Sequence, residues 1–177
     1  IVNIAVDSTG EVFSGDKVNG LRKRYAKLRT KLQSKGTKSA KRLLKKRSKK
    51  EKLFARDVNH CISKKIVAKA KALGCGIALE DLKGIRKRTE KTVRKSQRRQ
   101  HSSWAFCQLR QFIEYKAKIA GVPVVLVNPK NTSRTCPVCG HIAKGNRPSR
   151  DKFCCQACGY AAPADNVAAE NIRRAAV

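Results

Sequence analysis

Acidic side chains are scarce in this 177-residue chain: 12 Asp and Glu face 42 Lys and Arg, so the formal net charge is +30. Aromatic residues make up only 5% of the chain, there is a single Trp, and Met is absent. No apolar run approaches the ~20 residues needed to cross a membrane, and the basic stretches lack the aromatic-rich face of a helix that lies on lipid. The composition argues against a membrane partner and favours a polyanion, above all nucleic acid.

Cysteine is the residue type that the chain has in unusual number and order. Four of them have the spacing C-x2-C-x15-C-x2-C: Cys136, Cys139, Cys155 and Cys158. This spacing is typical of four thiolates that surround one tetrahedral Zn²⁺. The polar loop between the two pairs has little apolar surface, so metal binding is expected to order it. A pair of disulfides in a secreted domain is the alternative, but no apolar leader is evident. We therefore predict a zinc ribbon over 132–160, in a protein of the reducing cytoplasm.

The other four cysteines are not expected to bind metal. Cys154 is adjacent to Cys155, whose pairing with its CxxC partner leaves Cys154 pointing the other way. Cys61, Cys75 and Cys107 lie singly inside apolar stretches. We interpret these three as small buried hydrophobic residues.

The hydrophobic pattern predicts a mixed α/β domain around the ribbon. Runs of apolar residues indicate strands, and apolar residues at helical spacing indicate amphipathic helices. The predicted elements are strands at 1–6, 11–14, 75–82 and 122–127, helices at 17–33, 54–73, 105–120 and 163–172, and basic segments at 34–51 and 83–101. Their order indicates an α/β domain in which the ribbon is inserted before the last helix. The domain prediction is thus 1–131, then the ribbon at 132–160, then a final helix within 161–177.

Because acids are so few, each carboxylate in an apolar setting is a candidate ligand. Glu80 ends a predicted strand, where α/β sheets present functional groups, and its oxygens suit Mg²⁺. A salt bridge to one of the many Lys or Arg is the competing interpretation. Asp165 lies near the start of the last helix, where it could equally cap the helix or stabilise its dipole. Asp7, next to Ser-Thr-Gly, is attributed to turn chemistry.

Four segments in this order resemble the C-terminal half of transposon-encoded OrfB/TnpB proteins, which are RNA-guided DNA endonucleases related to type V CRISPR effectors. The segments are IALEDLKGI (77–85), TSRTCPVCG (132–140), FCCQACGY (153–160) and ADNVAAENI (164–172), and the resemblance covers essentially the whole chain. It implies a RuvC-type, RNase H-like α/β domain with an inserted zinc ribbon. It also implies structural Zn²⁺, catalytic Mg²⁺, and DNA and guide RNA as partners.

The resemblance assigns roles to two acids. It makes Glu80 the second and Asp165 the third of three carboxylates that hold two metal ions for phosphodiester hydrolysis. Val167 stands where the family's third motif more often has Asn, but Asp165 remains in register. The first aspartate, in a Gly-Ile-Asp-Leu-Gly motif, is expected a few positions before Ile1. The chain would then be an N-terminally truncated fragment without the first central strand, and a poor catalyst alone.

A second function stays open, so whether the chain acts as an enzyme is not decided by its sequence. The charge and the missing aspartate fit a non-catalytic nucleic-acid-binding zinc-ribbon protein, such as a guide-directed repressor, as well. In either case we expect the basic helices at 17–73 and the loop at 83–101 to contact backbone phosphate rather than base edges. Binding should then weaken steeply with salt.

Overall fold

A computed structural model describes residues 3–85 and 106–177 of the chain. The elements in chain order are strands β1 (Asn3–Val6) and β2 (Val12–Ser14), helices α1 (Asp16–Lys35) and α2 (Lys38–Ala72), strand β3 (Ile77–Glu80), helix α3 (Phe106–Ala120), strand β4 (Val124–Val127), a 3-10 turn (Lys144–Asn146), strands β5 (Lys152–Cys154) and β6 (Ala161–Pro163), and helix α4 (Ala164–Arg174). The fold is mixed α/β, as predicted. None of the helices in these two ranges is long and apolar enough to span a bilayer.

The two strands predicted at the start of the chain, β1 and β2, form an antiparallel hairpin with Val6 paired to Val12. Its turn depends on Asp7, whose Oδ1 accepts hydrogen bonds from the N–H groups of Thr9 and Glu11, both at 2.9 Å. The turn chemistry expected of Asp7 is therefore confirmed. Its Oδ2 also accepts from Lys69 Nζ at 2.6 Å, which ties the turn to the last part of α2.

Helices α1 and α2 pack against each other and are called the helical hairpin below. The α1 helix ends at Gly36, whose φ of 64° suits glycine. The side chain of Thr37 then accepts from the Ala40 N–H at 3.2 Å and caps α2. The structure shows one helix of 35 residues from Lys38, where the sequence predicted a basic segment followed by a shorter helix. Lys, Arg, Leu and Ala are strong helix formers, so a capped run of them continues as helix.

Strand β3 pairs with β4 in parallel, with Glu80 opposite Val127. Helix α3 precedes β4 and packs on α2, and the main core lies between these two helices and the strands. Its buried members are all aliphatic: Ile4, Val18, Ile62, Val67, Ala70, Ile77, Leu109, Ile113, Ala117 and Val122. Within the described ranges the strands form three two-stranded sheets, β1–β2, β3–β4 and β5–β6.

The interpretation of Cys61, Cys75 and Cys107 as buried residues is wrong, because all three are exposed. Cys61 lies in α2 between His60 and the buried Ile62. The helix turns the side chain of Cys61 outward, whereas Ile62 faces the core. An apolar neighbourhood in sequence does not place a side chain on the apolar face of a helix. Most of the predicted basic loop at 83–101 lies outside the described residues.

Candidate active site and metal centre

The two cysteine pairs lie in turns of matching geometry. The Gly140 N–H donates to the Cys136 carbonyl, and the Gly159 N–H donates to the Cys155 carbonyl, both at 3.0 Å. The two glycines have φ of 73° and 74°, a left-handed conformation that residues with a side chain adopt at a cost. The C-x2-C-G pattern therefore builds the same tight turn twice.

These turns bring the four cysteine sulfurs together. The Sγ atoms of Cys136, Cys139, Cys155 and Cys158 all lie within 4.8 Å of one another, and the Cys136–Cys158 and Cys139–Cys155 pairs are 3.6 Å apart. A disulfide needs about 2.05 Å, so the alternative of two disulfides does not fit. Four sulfurs about 2.3 Å from a tetrahedral ion would be about 3.8 Å apart. The cluster could therefore hold a metal ion such as zinc.

The protonation of the thiols also favours a cation at this point. Backbone N–H groups of Cys158 and Ala157 lower the pKa of Cys155 to about 6, although desolvation opposes them. The Tyr160 N–H acts to lower the pKa of Cys158, but hydrogen bonds with the other cluster thiols and desolvation outweigh it and raise this pKa to about 12. The cluster thiols thus oppose ionisation of one another, and a divalent cation would relieve the repulsion between the thiolates.

A small core joins the cysteine ribbon to α4. Phe153 is 1% exposed and packs with Cys136 and Cys155 against Ala164 and Val167 of the helix. The sequence predicted that metal alone would order the ribbon, and that prediction is incomplete. The ribbon loop contributes one large aromatic ring, and the helix that follows contributes the surface on which the ring is buried.

The side chain of Asn146 links three segments of the ribbon by hydrogen bonds. Its side chain is fully buried, and its Nδ2 donates to the carbonyls of Arg134 at 2.9 Å and His141 at 3.0 Å. Its Oδ1 accepts from the Gln156 N–H at 3.0 Å. One amide therefore satisfies backbone groups beside both cysteine pairs, in a place where water does not reach them.

Glu80 lies at the end of β3, as predicted. Its Oε1 accepts a hydrogen bond of 2.6 Å from the Oγ1 of Thr132, a side chain at the first residue of the predicted ribbon that is only 8% exposed. Among the residues that the structure describes, a neutral hydroxyl rather than a Lys or Arg holds this carboxylate. The competing salt-bridge interpretation has no support in that part of the chain.

Asp165 lies in the first turn of α4 and does not cap it, since the N-cap residue is Pro163 and makes no side-chain cap. Its Oδ2 accepts from the Nδ2 of Asn3 in β1 at 2.9 Å. Its Oδ1 lies 3.6 Å from the guanidinium of Arg147 in the ribbon. The first-turn position still suits the helix dipole, but both oxygens are held by side chains from other elements.

The elements that bear the two acids adjoin each other. Helix α4 contacts both β3 and β1, and an apolar cavity of ≈ 570 Å³ lies between these strands, with Glu80, Ile4 and Ile172 in its wall. In residues 3–85 and 106–177, the four cysteines are the only set of three or more Cys, His, Asp or Glu close enough to share an ion. That Glu80 and Asp165 share a cation pocket stays a prediction.

The contacts made by Asn3, Thr132, Asn146 and Arg147 in this site were not predicted from the sequence. Thr132 opens one of the four recognised segments, so its place next to a cysteine pair was visible, but its bond to Glu80 was not. Asn146 and Arg147 occur in a polar loop where no pattern distinguishes them from their neighbours. Their roles depend on how the ribbon folds back on itself.

Known proteins share this arrangement of sequence and fold. Residues 106–172 match the family model described as the Cas12f1-like TNB domain. A CRISPR-associated endodeoxyribonuclease Cas12f1 from Sulfoacidibacillus thermotolerans is 41% identical over 120 residues, which are 67% of this chain and 26% of that protein. The TnpB-like protein MJ0751 of Methanocaldococcus jannaschii is 39% identical over 127 residues, or 70% of this chain and 45% of that protein.

The chain is therefore related in sequence to TnpB and Cas12f proteins. A cryo-EM structure of a Cas12f1–sgRNA–target DNA complex aligns with 92% of the chain and 43% of its own, at a TM-score of 0.71 and 22% identity, which establishes the likeness of fold. The chain spans between about a quarter and just under half of the length of the two curated relatives.

Proposed function

We propose that this chain is the C-terminal, nuclease-bearing part of a transposon-associated, RNA-guided DNA endonuclease. The observation that supports this most directly is the placement of Glu80 at the end of a strand and of Asp165 in the first turn of a helix that contacts the same strand. The proposal includes a RuvC-type, RNase H-like domain formed by 1–131 and 161–177, with the ribbon at 132–160 inserted. The relatives named as endonucleases support it.

The donor set at the acids is compatible with Mg²⁺, because both residues offer hard carboxylate oxygens. Bound magnesium would activate water and stabilise the leaving oxygen in phosphodiester hydrolysis. The chain's own side chains position the ligands: Thr132 fixes one oxygen of Glu80, and Asn3 fixes one oxygen of Asp165. Arg147 balances the charge of Asp165.

A third carboxylate is part of the proposal, and we expect it from an aspartate upstream of Ile1. Two observations support this expectation. In residues 3–85 and 106–177 no three carboxylates lie close enough together to share an ion, and strands β1 and β3 belong to separate sheets with a cavity between them. The chain alone is then expected to be a poor nuclease.

Zinc is the metal that we propose for the cysteine cluster. Four thiolates leave no open coordination position, which is typical of a structural rather than a catalytic site. The sulfur distances of 3.6 Å and the shared core with α4 support a structural role. The ribbon would therefore stabilise the domain without taking part in bond cleavage.

DNA and guide RNA are the proposed partners, in line with the complex named for the structural relative. The helical hairpin is the surface that we propose for the nucleic-acid backbone. Helix α2 alone has 14 Lys and Arg against two acids, and its first half is largely exposed. Each phosphate neutralised by such a surface releases counterions, so affinity should fall steeply as salt is raised.

The test is cleavage of target DNA by the full-length protein with guide RNA and Mg²⁺. Glu80→Gln and Asp165→Asn should each abolish cleavage while guide and target binding persist, because the basic surface is unchanged. Glu114→Gln, which alters a half-buried acid of α3 that pairs with Arg110, is the matched control and should cleave normally. Full cleavage by Glu80→Gln would refute the nuclease role of these residues.

The alternative is a guide-directed repressor that binds without cutting, which the charge of +30 supports as well. The same experiment distinguishes the two functions. A full-length wild-type protein that binds guide and target but leaves the DNA intact at saturating Mg²⁺ would favour the repressor. Cleavage that depends on both acids would exclude it.

A further inference from the structure

We propose that Thr132 is a positioning residue for Glu80, and that through Thr132 the cysteine ribbon sets the orientation of this carboxylate. The inference rests on the proposed function, since it takes Glu80 to be a metal ligand. It adds that the structural metal centre and the carboxylate site are coupled through one hydroxyl group.

The contact between the two side chains is short and directional. The 2.6 Å from Thr132 Oγ1 to Glu80 Oε1 falls in the range of a hydroxyl that donates to an ionised carboxylate. The same hydroxyl lies 3.2 Å from the Pro129 carbonyl. Because a hydroxyl has one proton to donate, the shorter contact to the charged oxygen takes it. Thr132 is also buried and β-branched, so its side chain has little freedom to turn away.

The backbone of Thr132 is fixed in turn by the helix that bears Asp165. The Nδ2 of Asn171 in α4 donates to the carbonyls of Thr132 and Thr135, both at 2.8 Å. Thr135 immediately precedes Cys136, the first cysteine of the cluster. Both protons of one amide thus hold the segment that connects Glu80 to the first cysteine pair.

These contacts form a continuous path from the cluster to both acids. It runs from Cys136 through the 132–135 segment to Glu80, and from the same segment through Asn171 along α4 to Asp165. A metal site tolerates little error in ligand position, and partners that orient a ligand typically change metal affinity or activity by about 10–100-fold when lost. Loosening the ribbon should therefore disturb Glu80 even though no cysteine touches it.

The first test measures cleavage in the full-length protein with guide RNA. Thr132→Val removes the hydroxyl and keeps the shape, and we expect cleavage to fall by about 10–100-fold with a higher Mg²⁺ concentration for half-maximal rate. Thr132→Ser keeps the hydroxyl and should recover most of the rate. Ser149→Ala is the control, since that exposed hydroxyl of the ribbon lies off this path and accepts from the Lys152 N–H, and it should cleave like the wild type.

The second test needs no activity and uses this chain with ¹³C-labelled glutamate side chains. The carboxyl NMR signal of Glu80, assigned by its loss in Glu80→Gln, should shift in Thr132→Val but not in Ser149→Ala. Chelation of the ribbon metal should shift it in the wild type and have little effect in Thr132→Val. Zinc analysis of each variant checks that the ribbon remains loaded.

The outcomes separate the inference from the function on which it rests. A Glu80 signal that is indifferent to Thr132→Val, or a Thr132→Ser variant as slow as Thr132→Val with zinc retained, would overturn the positioning role. Full cleavage by Glu80→Gln would instead overturn the proposed function, while an NMR shift would still establish the coupling.

Discussion

The cysteine ribbon and the carboxylate site are built in opposite ways. The ribbon takes all four candidate ligands from 136–158, in two turns with the same glycine geometry. The carboxylate site takes Glu80 and Asp165 from elements far apart in the chain, and each acid is held by a side chain from a third segment. A local site is determined by spacing, whereas a composite site depends on the whole domain. The two should therefore respond differently to substitution.

The largest effect is expected from loss of a cysteine ligand. Cys155→Ser should remove the bound zinc and unfold the ribbon, because the apparent binding energy of a structural zinc is about 10–16 kcal/mol. Cys154→Ser, at the adjacent exposed thiol, should keep one zinc per chain. Metal analysis and circular dichroism of the purified variants measure this. Equal zinc content in the two variants would show that the spacing does not define the ligands.

A smaller loss of stability is expected from Asn146→Ala. The substitution leaves backbone groups of Arg134, His141 and Gln156 without their buried partner, at a cost of about 2–3 kcal/mol. Asn128→Ala, which removes one exposed contact to the Lys130 N–H, should cost little. Urea unfolding of both zinc-loaded variants gives the difference. If Asn146→Ala is as stable as Asn128→Ala, the ribbon is ordered by its metal alone.

The carboxylate site should be sensitive to a residue that the ribbon does not contain. Asn3→Ala removes the donor to Asp165, and we expect cleavage by the full-length protein to fall by about 10-fold. Zinc content and thermal stability of the ribbon should not change, because Asn3 lies in β1. A variant that loses zinc together with activity would mean that the two sites are not separable in this way.

The smallest effect concerns α4, which both sites share. Hydrogen bonds from Arg173, then Arg174, lower the pKa of Glu170 to about 2. Because the folded pKa is depressed, this stabilisation is present above the ordinary value of 4.5 and is lost as pH falls toward 2. Partial exposure limits it, so Glu170→Gln should cost less than about 1 kcal/mol at pH 7. NMR titration should show Glu170 still ionised at pH 4; protonation there would contradict the ion pairs.

The sequence was most informative where a structure is made by neighbours in the chain. The cysteine spacing and the turn at Asp7 each involve residues within a few positions, so their geometry follows from local chemistry. Helix boundaries in the basic region were less accurate. A run such as Lys-Arg-Leu-Leu-Lys-Lys-Arg has no apolar stripe to reveal a helix, although capping and propensity are enough to form one.

The exposed cysteines show where sequence reasoning failed. Cys61 and Cys107 lie within amphipathic helices, but a rotation of about 100° per residue separates a buried position from an exposed neighbour. The pattern located the stripe through Ile62 and Leu109 and did not exclude the residues beside it. The path from Thr132 to Glu80 was likewise out of reach, because two residues 52 positions apart meet only after the chain has folded.

The amino-acid sequence alone determined the sulfur cluster and the basic character of the helices, and it singled out Glu80 and Asp165 as candidate ligands. Spacing, charge and residue type are properties of the chain itself. Only the tertiary structure decided that Phe153 is buried on α4, that Thr132 rather than a cation meets Glu80, and that Asn3 and Arg147 meet Asp165. Such contacts join segments that packing of the hydrophobic core brings together, and the core forms from many residues at once.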